Sequence, residues 1–127
     1  SALDEFVITD DEKDVWKVCL KQALPNIYEA LLKISSGVAD AFNDNAEVGG
    51  KSSLQIKIKD NNEYNANVLS IVDSTLRDCI NYGTLVEFYS ININDGLLNL
   101  AKGKFNNYMF QLNKRLFQLK RRKVSVC

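Results

Sequence analysis

Histidine is absent from this sequence of 127 residues. Without an imidazole, the chain cannot carry Ser-His-Asp or Cys-His catalysis, nor a metal site that relies on histidine. The three cysteines, Cys19, Cys79 and Cys127, are far apart and form no C-x-x-C pair, so neither a zinc ribbon nor a redox motif is indicated. Cys19 and Cys79 fall on apolar helical faces, and we expect both to be buried free thiols.

Long apolar runs are also lacking. No stretch of about 18 apolar residues occurs, so we expect no membrane span. No apolar segment follows a basic start, as a secretory signal would require. With 46% hydrophobic and 25% charged residues, the composition predicts one small packed domain in the cytoplasm.

Acidic residues are missing from the C-terminal part of the chain. All sixteen lie between Asp4 and Asp95. Residues 1–100 carry eight cations against those sixteen acids, a net charge of −8, whereas residues 101–127 carry eight cations and no acid, a net charge of +8. Such an asymmetry indicates a basic interaction tail, or two parts of different origin.

Proline occurs once, at Pro25, where we expect a helix to end or kink. Acids at 10–14 favour a helix start just before the first apolar periodic stretch. Apolar periodicity then predicts helices over 15–24, 27–42 and 69–80, the last stopping near Gly83, and strands over 54–58 and 84–89.

Residues 91–107 are rich in Asn and Gly and show no clear period. Beyond them, one apolar helical face is expected, formed by Phe105, Tyr108, Met109, Leu112, Leu116 and Leu119. A cationic end follows, made of Arg115, Lys120, Arg121, Arg122 and Lys123. This basic helix is consistent with binding to nucleic acid, with lying on an anionic membrane, or with a solvated, partly disordered terminus.

Four short segments within residues 1–90 resemble the N-terminal part of the fructose-1,6-bisphosphatase and sedoheptulose-1,7-bisphosphatase family. They are Leu3-Asp4-Glu5-Phe6-Val7, Ile34-Ser35-Ser36-Gly37-Val38, Ala66-Asn67-Val68-Leu69-Ser70 and Leu85-Val86-Glu87-Phe88-Tyr89-Ser90. The resemblance implies a layered α/β fold of which this chain has only a part: a partial sugar-bisphosphatase-like domain over 1–90 and a non-homologous basic tail over 91–127.

The resemblance also implies a function. Members of this family hydrolyse the 1-phosphate of fructose-1,6- or sedoheptulose-1,7-bisphosphate with water activated by carboxylate-bound magnesium. Here Asn67 stands where the family has a metal-site Asp, and Ile91-Asn92 follow Ser90 where the family has two glutamates. The catalytic segment D-P-x-D-G-S-S is missing as well. We therefore expect no catalytic residue and no bound magnesium in this chain, and we expect the truncated enzyme to be inactive.

Four carboxylates remain as candidates for an unfamiliar metal site: Asp60, Glu63, Asp73 and Glu87. Partners implied by the resemblance are a sugar bisphosphate, a second copy of the chain, or a full-length subunit. The alternative function is a small helical interaction module whose basic C-terminal helix binds nucleic acid or an acidic partner.

Overall fold

The computed structural model describes residues 13–35, 37–45, 51–58 and 66–125. Over these residues the chain forms three helices and one hairpin. In chain order they are α1 (Lys13–Leu31), β1 (Val38–Asn45), β2 (Lys51–Ile58), α2 (Ala66–Ile91) and α3 (Asp95–Ser125).

Helix α2 lies at the centre of the bundle and packs against both α1 and α3. It runs antiparallel to α3, because Thr75 of α2 meets Arg115 and Gly83 meets Phe105. Tyr82 of α2 also stacks on Tyr108 of α3, with ring centroids 5.4 Å apart and planes 14° apart. These contacts set the rotation of α3 about its own axis.

All three helices contribute to each of two apolar clusters. The larger joins Ile27 and Leu31 of α1 to Val72 and Cys79 of α2 and to Leu112, Leu116 and Leu119 of α3. The smaller joins Cys19 of α1 to Leu85, Phe88 and Tyr89 of α2 and to Ala101 of α3. Burial of these side chains is the main favourable contribution to the stability of the bundle.

The hairpin lies beside the larger cluster. β1 pairs antiparallel with β2, from Val38 opposite Ile58 to Asn45 opposite Lys51. Val38 and Ile56 pack against the cluster from this side. The strand expected over 54–58 lies within β2.

The predicted layered α/β fold is wrong, because the chain is a helical bundle. The segment Thr84 to Tyr89, expected to be a buried strand, lies inside α2. Its continuous apolar character arises because α1 and α3 cover α2 from different sides, and periodicity alone does not distinguish such a helix from a buried strand. The Thr84 hydroxyl, which is fully buried, donates to the Ile80 carbonyl at 2.7 Å.

The expectation that a helix ends at Pro25 and the expectation of a helix over 27–42 are also wrong. The kink expected at Pro25 as the alternative stays a prediction. Pro25 is exposed within α1, and the helix continues to Leu31. Ala23, Leu24 and Ile27 are buried around it, and this packing outweighs the roughly 3 kcal/mol penalty of an internal proline. The apolar stripe that begins at Ile27 is helical only as far as Leu31, because residues from Val38 onward pair in β1.

The helix expected to stop near Gly83 continues to Ile91. A Cβ atom at Gly83 would lie 2.9 Å from Phe105 Cε1 and 3.3 Å from Ala23 Cβ. The glycine therefore allows α1, α2 and α3 to approach closely, and does not end the helix.

The region 91–107, expected to lack a clear period, is the last residue of α2, a short turn and the first half of α3. The division at residue 90 falls one residue before α2 ends. Residues on both sides of it share both apolar clusters. The separate origin of residues 91–127 stays a prediction.

Candidate nucleic-acid interface

Helix α3 begins after a turn with recognisable capping. The Asn94 amide donates to the Tyr89 carbonyl at 3.2 Å, a bond that closes the end of α2 around Ile93. The Asn94 side-chain oxygen accepts from the Leu97 amide at 3.2 Å, as an N-cap residue does. Asp95 in the first turn complements the positive end of the helix.

The inner face of α3 is the one predicted from the sequence. Leu112, Leu116 and Leu119 are buried. Phe105, Tyr108 and Met109 are partly buried and pack against the larger cluster. Because this face is held by both neighbouring helices, the opposite face of α3 must lie toward solvent.

Two phenylalanines occupy that opposite face. Phe110 is 68% exposed and Phe117 is 61% exposed. They are seven residues apart, so they lie within about 20° of each other around the helix axis and about 10.5 Å apart along it. Lys114 lies between them, four residues after Phe110 and three before Phe117, and it is also exposed. At these spacings the three side chains are neighbours on the helix surface.

Among the side chains of α3 that the structure describes, three cations are exposed: Lys102, Lys104 and Lys114. Arg115, which the sequence placed with the cationic end, has another role, because its guanidinium donates to the Thr75 hydroxyl and joins α3 to α2. That hydroxyl in turn donates to the Ile71 carbonyl at 3.0 Å. The side chains of Lys120, Arg121, Arg122 and Lys123 lie outside the described residues.

Of the four candidate carboxylates, the two that the structure describes are far apart. Asp60 and Glu63 lie outside the described residues. Asp73 and Glu87 are both on α2, fourteen residues and hence about 21 Å apart along the axis. Asp73 Oδ2 pairs instead with Arg77 Nε at 3.0 Å on the helix surface. Within the described ranges, no three Asp, Glu or Cys side chains are grouped to hold a metal ion.

A groove of about 260 Å³ lies between the hairpin and α2. It is lined by Ile56, Asp73, Leu76, Arg77, Ile80 and Asn81. Its charged groups are the paired Asp73 and Arg77, which neutralise each other. The groove thus presents an internally neutral surface, whereas the outer face of α3 presents the cation of Lys114.

The thiols of Cys19 and Cys79 are free and fully buried, as predicted. Burial raises the pKa of the Cys79 thiol from its ordinary 9.0 to about 12, and the nearby Asp78 carboxylate adds to this. Burial and then the charge of Glu87 raise the pKa of the Cys19 thiol. Both thiols stay protonated near neutral pH and act as small apolar side chains. Cys127 lies outside the described residues.

Phe110 and Phe117 were not predicted as site residues, because the sequence prediction considered only the apolar inner face of α3 and its cationic end. The signal was present in the spacing. Phe110 is two residues from Leu112, and so lies about 160° away from it around the helix. An aromatic side chain opposite the apolar stripe, repeated after seven residues, indicates an exposed pair.

None of the helices, over the residues described, is both long and apolar enough to cross a membrane. No family model matches the chain, and no curated protein or solved structure matches it either. The resemblance to the sugar bisphosphatases therefore remains a hypothesis that rests on four short segments of residues 1–90.

Proposed function

We propose that this protein is a small helical interaction module that binds nucleic acid through the outer face of α3. The observation that carries the proposal is the charge of this helix. It has no acid after Asp95, and among its described side chains Lys102, Lys104 and Lys114 are exposed. Lys114 lies on the outer face beside Phe110 and Phe117, whereas Lys102 and Lys104, two residues apart, lie on the two flanks of the helix. Cationic side chains on a helix attract phosphates, which gives affinity without sequence recognition.

The length of α3 suits an extended polyanion. Its 31 residues span about 46 Å at 1.5 Å per residue. Lys114 has no ion pair with any residue that the structure describes. A phosphate can approach it without displacing a carboxylate of the described bundle, so the lysine needs only to exchange water and counterions.

Salt dependence tests the proposal. We expect a fluorescently labelled polynucleotide to bind the full chain and to lose affinity steeply between about 50 and 200 mM salt, because bound cations release counterions. Lys114→Gln should weaken binding and reduce the slope of log K against log salt by roughly 0.7–0.9, the contribution of one phosphate contact. The matched control is Lys21→Gln, which removes an exposed cation from α1 and should leave the slope unchanged.

Poly-glutamate separates nucleic acid from an acidic protein partner. It offers negative charge without phosphates or bases. If it bound as tightly as a polynucleotide of equal charge, an acidic partner would replace nucleic acid in the proposal. Failure of every polyanion to bind at low salt would overturn the proposal as a whole.

Sugar-bisphosphate hydrolysis stays a prediction that rests on resemblance. Its test is phosphate release from fructose-1,6- and sedoheptulose-1,7-bisphosphate by the purified chain, with and without magnesium. We expect no release, because the family's metal-site Asp is replaced by Asn67 and its two glutamates by Ile91-Asn92. Magnesium-dependent release that survives repurification would restore the phosphatase function and direct attention to Asp60 and Glu63.

A further inference from the structure

We infer that the nucleic acid bound by α3 is single-stranded, with separate bases stacking on Phe110 and Phe117 on either side of Lys114. This inference rests on the proposed function, which requires only that α3 attract phosphates. It adds a requirement for unpaired bases.

The two rings are placed as stacking platforms. Each is more than three-fifths exposed, so a flat face can be reached from solvent. They project from the same side of the helix, about 10.5 Å apart along the axis. That separation is far longer than the roughly 3.4 Å between stacked bases of one strand in a duplex. Each ring therefore accepts its own base from a strand whose bases are already apart.

Lys114 supplies the charge between the rings. It is a surface neighbour of both phenylalanines, at spacings of four and three residues. A strand whose bases stack on Phe110 and Phe117 passes its backbone over this position. The combination of aromatic faces and an intervening cation is the pattern by which proteins hold single strands without sequence preference.

A duplex fits this surface less well. Its bases are stacked and paired, so they offer edges in the grooves and no free faces to a ring. Binding of a duplex by α3 would use the lysines alone and leave both phenylalanines in water. Single strands gain the stacking contacts in addition to the charge.

A second copy of this chain is a less suitable occupant of the same face. A helix–helix seam repeats apolar residues at alternating spacings of three and four. The corresponding exposed row on α3 is Gly103, Asn107, Phe110, Lys114 and Phe117. Only two of the five are apolar, and a lysine separates them.

The test compares a labelled thymidine oligomer long enough to span α3 with a duplex of the same length. We expect the oligomer to bind the full chain more tightly than the duplex. Phe110→Ala and Phe117→Ala should each weaken oligomer binding by roughly 5- to 150-fold, as expected for loss of one stacked base, and leave duplex binding unchanged. Leu100→Ala removes an apolar side chain on α3 that is 57% exposed and should change neither affinity.

Phe110→Leu and Phe117→Leu keep apolar area but remove the flat ring, so they should weaken oligomer binding as well. Circular dichroism of each variant checks that the bundle is intact. The inference is overturned if the phenylalanine variants bind the oligomer like the parent chain while Lys114→Gln weakens it, an outcome that leaves the proposed function standing. Loss of a dimer on gel filtration in the phenylalanine variants would instead assign the face to a second copy. Absence of binding to either polymer would overturn the proposed function itself.

Discussion

Ile93 has an unusual backbone conformation for a β-branched residue. Its φ is 51°, and the residue is 83% exposed. It occupies the left-handed position that follows α2, where glycine is favoured because it has no Cβ. The turn is fixed by the bond from the Asn94 amide to the Tyr89 carbonyl, so the residue bears strain that its own contacts do little to offset.

We expect Ile93→Gly to raise the free energy of unfolding by about 1 kcal/mol, because left-handed backbone is unfavourable for L-residues by roughly 1–2 kcal/mol. Urea unfolding followed by circular dichroism measures the change. The control is Ile91→Gly, at another exposed isoleucine that is the last residue of α2. This variant should lower stability by up to about 1 kcal/mol. A loss of stability in both variants would contradict the assignment of strain to Ile93.

The buried thiol of Cys79 makes the free energy of unfolding depend on pH in the alkaline range. Its pKa rises from 9.0 to about 12 on folding, so the folded state keeps a proton that the unfolded state releases. The contribution is fully present below pH 9 and is lost between about pH 9 and 12 as the pH rises. Over that window the slope approaches about 1.4 kcal/mol per pH unit for a single group.

Unfolding of the parent chain and of Cys79→Ala at several pH values from 7 to about 10 isolates this dependence. Cys79→Ala should be less stable at pH 7 because it leaves a cavity. The difference between the two chains should shrink as the pH rises above 9. A constant difference across this range would show that the thiol does not titrate with the raised pKa.

At the scale of the helices, the sequence correctly predicted the buried face of a helix that is covered on one side only. The row of Leu112, Leu116 and Leu119 identified the inner face of α3 because only one side of that helix is buried. The same reasoning failed for 84–89, since α2 is covered by both α1 and α3. An uninterrupted apolar run is typical of a buried strand as well as of a buried helix.

Glycine was a second source of error, since its effect depends on what surrounds it. Gly83 allows three helices to approach, whereas a Cβ at Gly103 would meet no described atom within 4 Å beyond its own chain neighbours and helix backbone. Both lie inside helices. Only tertiary contacts distinguish a helix-ending glycine from a packing glycine, and a single sequence does not contain them.

The two glycines form a matched pair for an experiment. Gly103→Ala should raise stability by about 1 kcal/mol through helix propensity alone. Gly83→Ala gains the same propensity but brings a methyl group to 2.9 Å from the Phe105 ring and 3.3 Å from Ala23, and overpacking typically lowers stability by about 1–3 kcal/mol. We expect a net loss for Gly83→Ala, measured by urea unfolding. Equal gains in stability in both variants would mean that α1 and α3 move away from Gly83 without a cost in free energy.

For the whole molecule, the charge asymmetry and the core have different boundaries. Charge divides the chain near residue 100, and the resemblance divides it at residue 90. Both apolar clusters extend across these divisions, because Leu112, Leu116 and Ala101 pack with residues of α1 and α2. The basic segment is therefore joined to the rest by its inner face, while its outer face supplies the candidate interface. The composition gives the charge of this segment. It contains no information on the packing of the inner face.

This joint core leads to an expectation for a chain shortened after Ser90. Removing α3 takes away Leu112, Leu116 and Leu119, which are at most 2% exposed and contribute roughly 1.5–3 kcal/mol each on burial. The sum is comparable to the whole stability of a small domain, about 5–15 kcal/mol. We expect residues 1–90 alone to show no cooperative urea transition by circular dichroism or by the fluorescence of Trp16, which packs on the smaller cluster. A chain ending at Leu119 keeps these three leucines and should unfold cooperatively. If residues 1–90 unfolded as cooperatively as that longer chain, they would form a domain on their own, and the predicted division at residue 90 would be right.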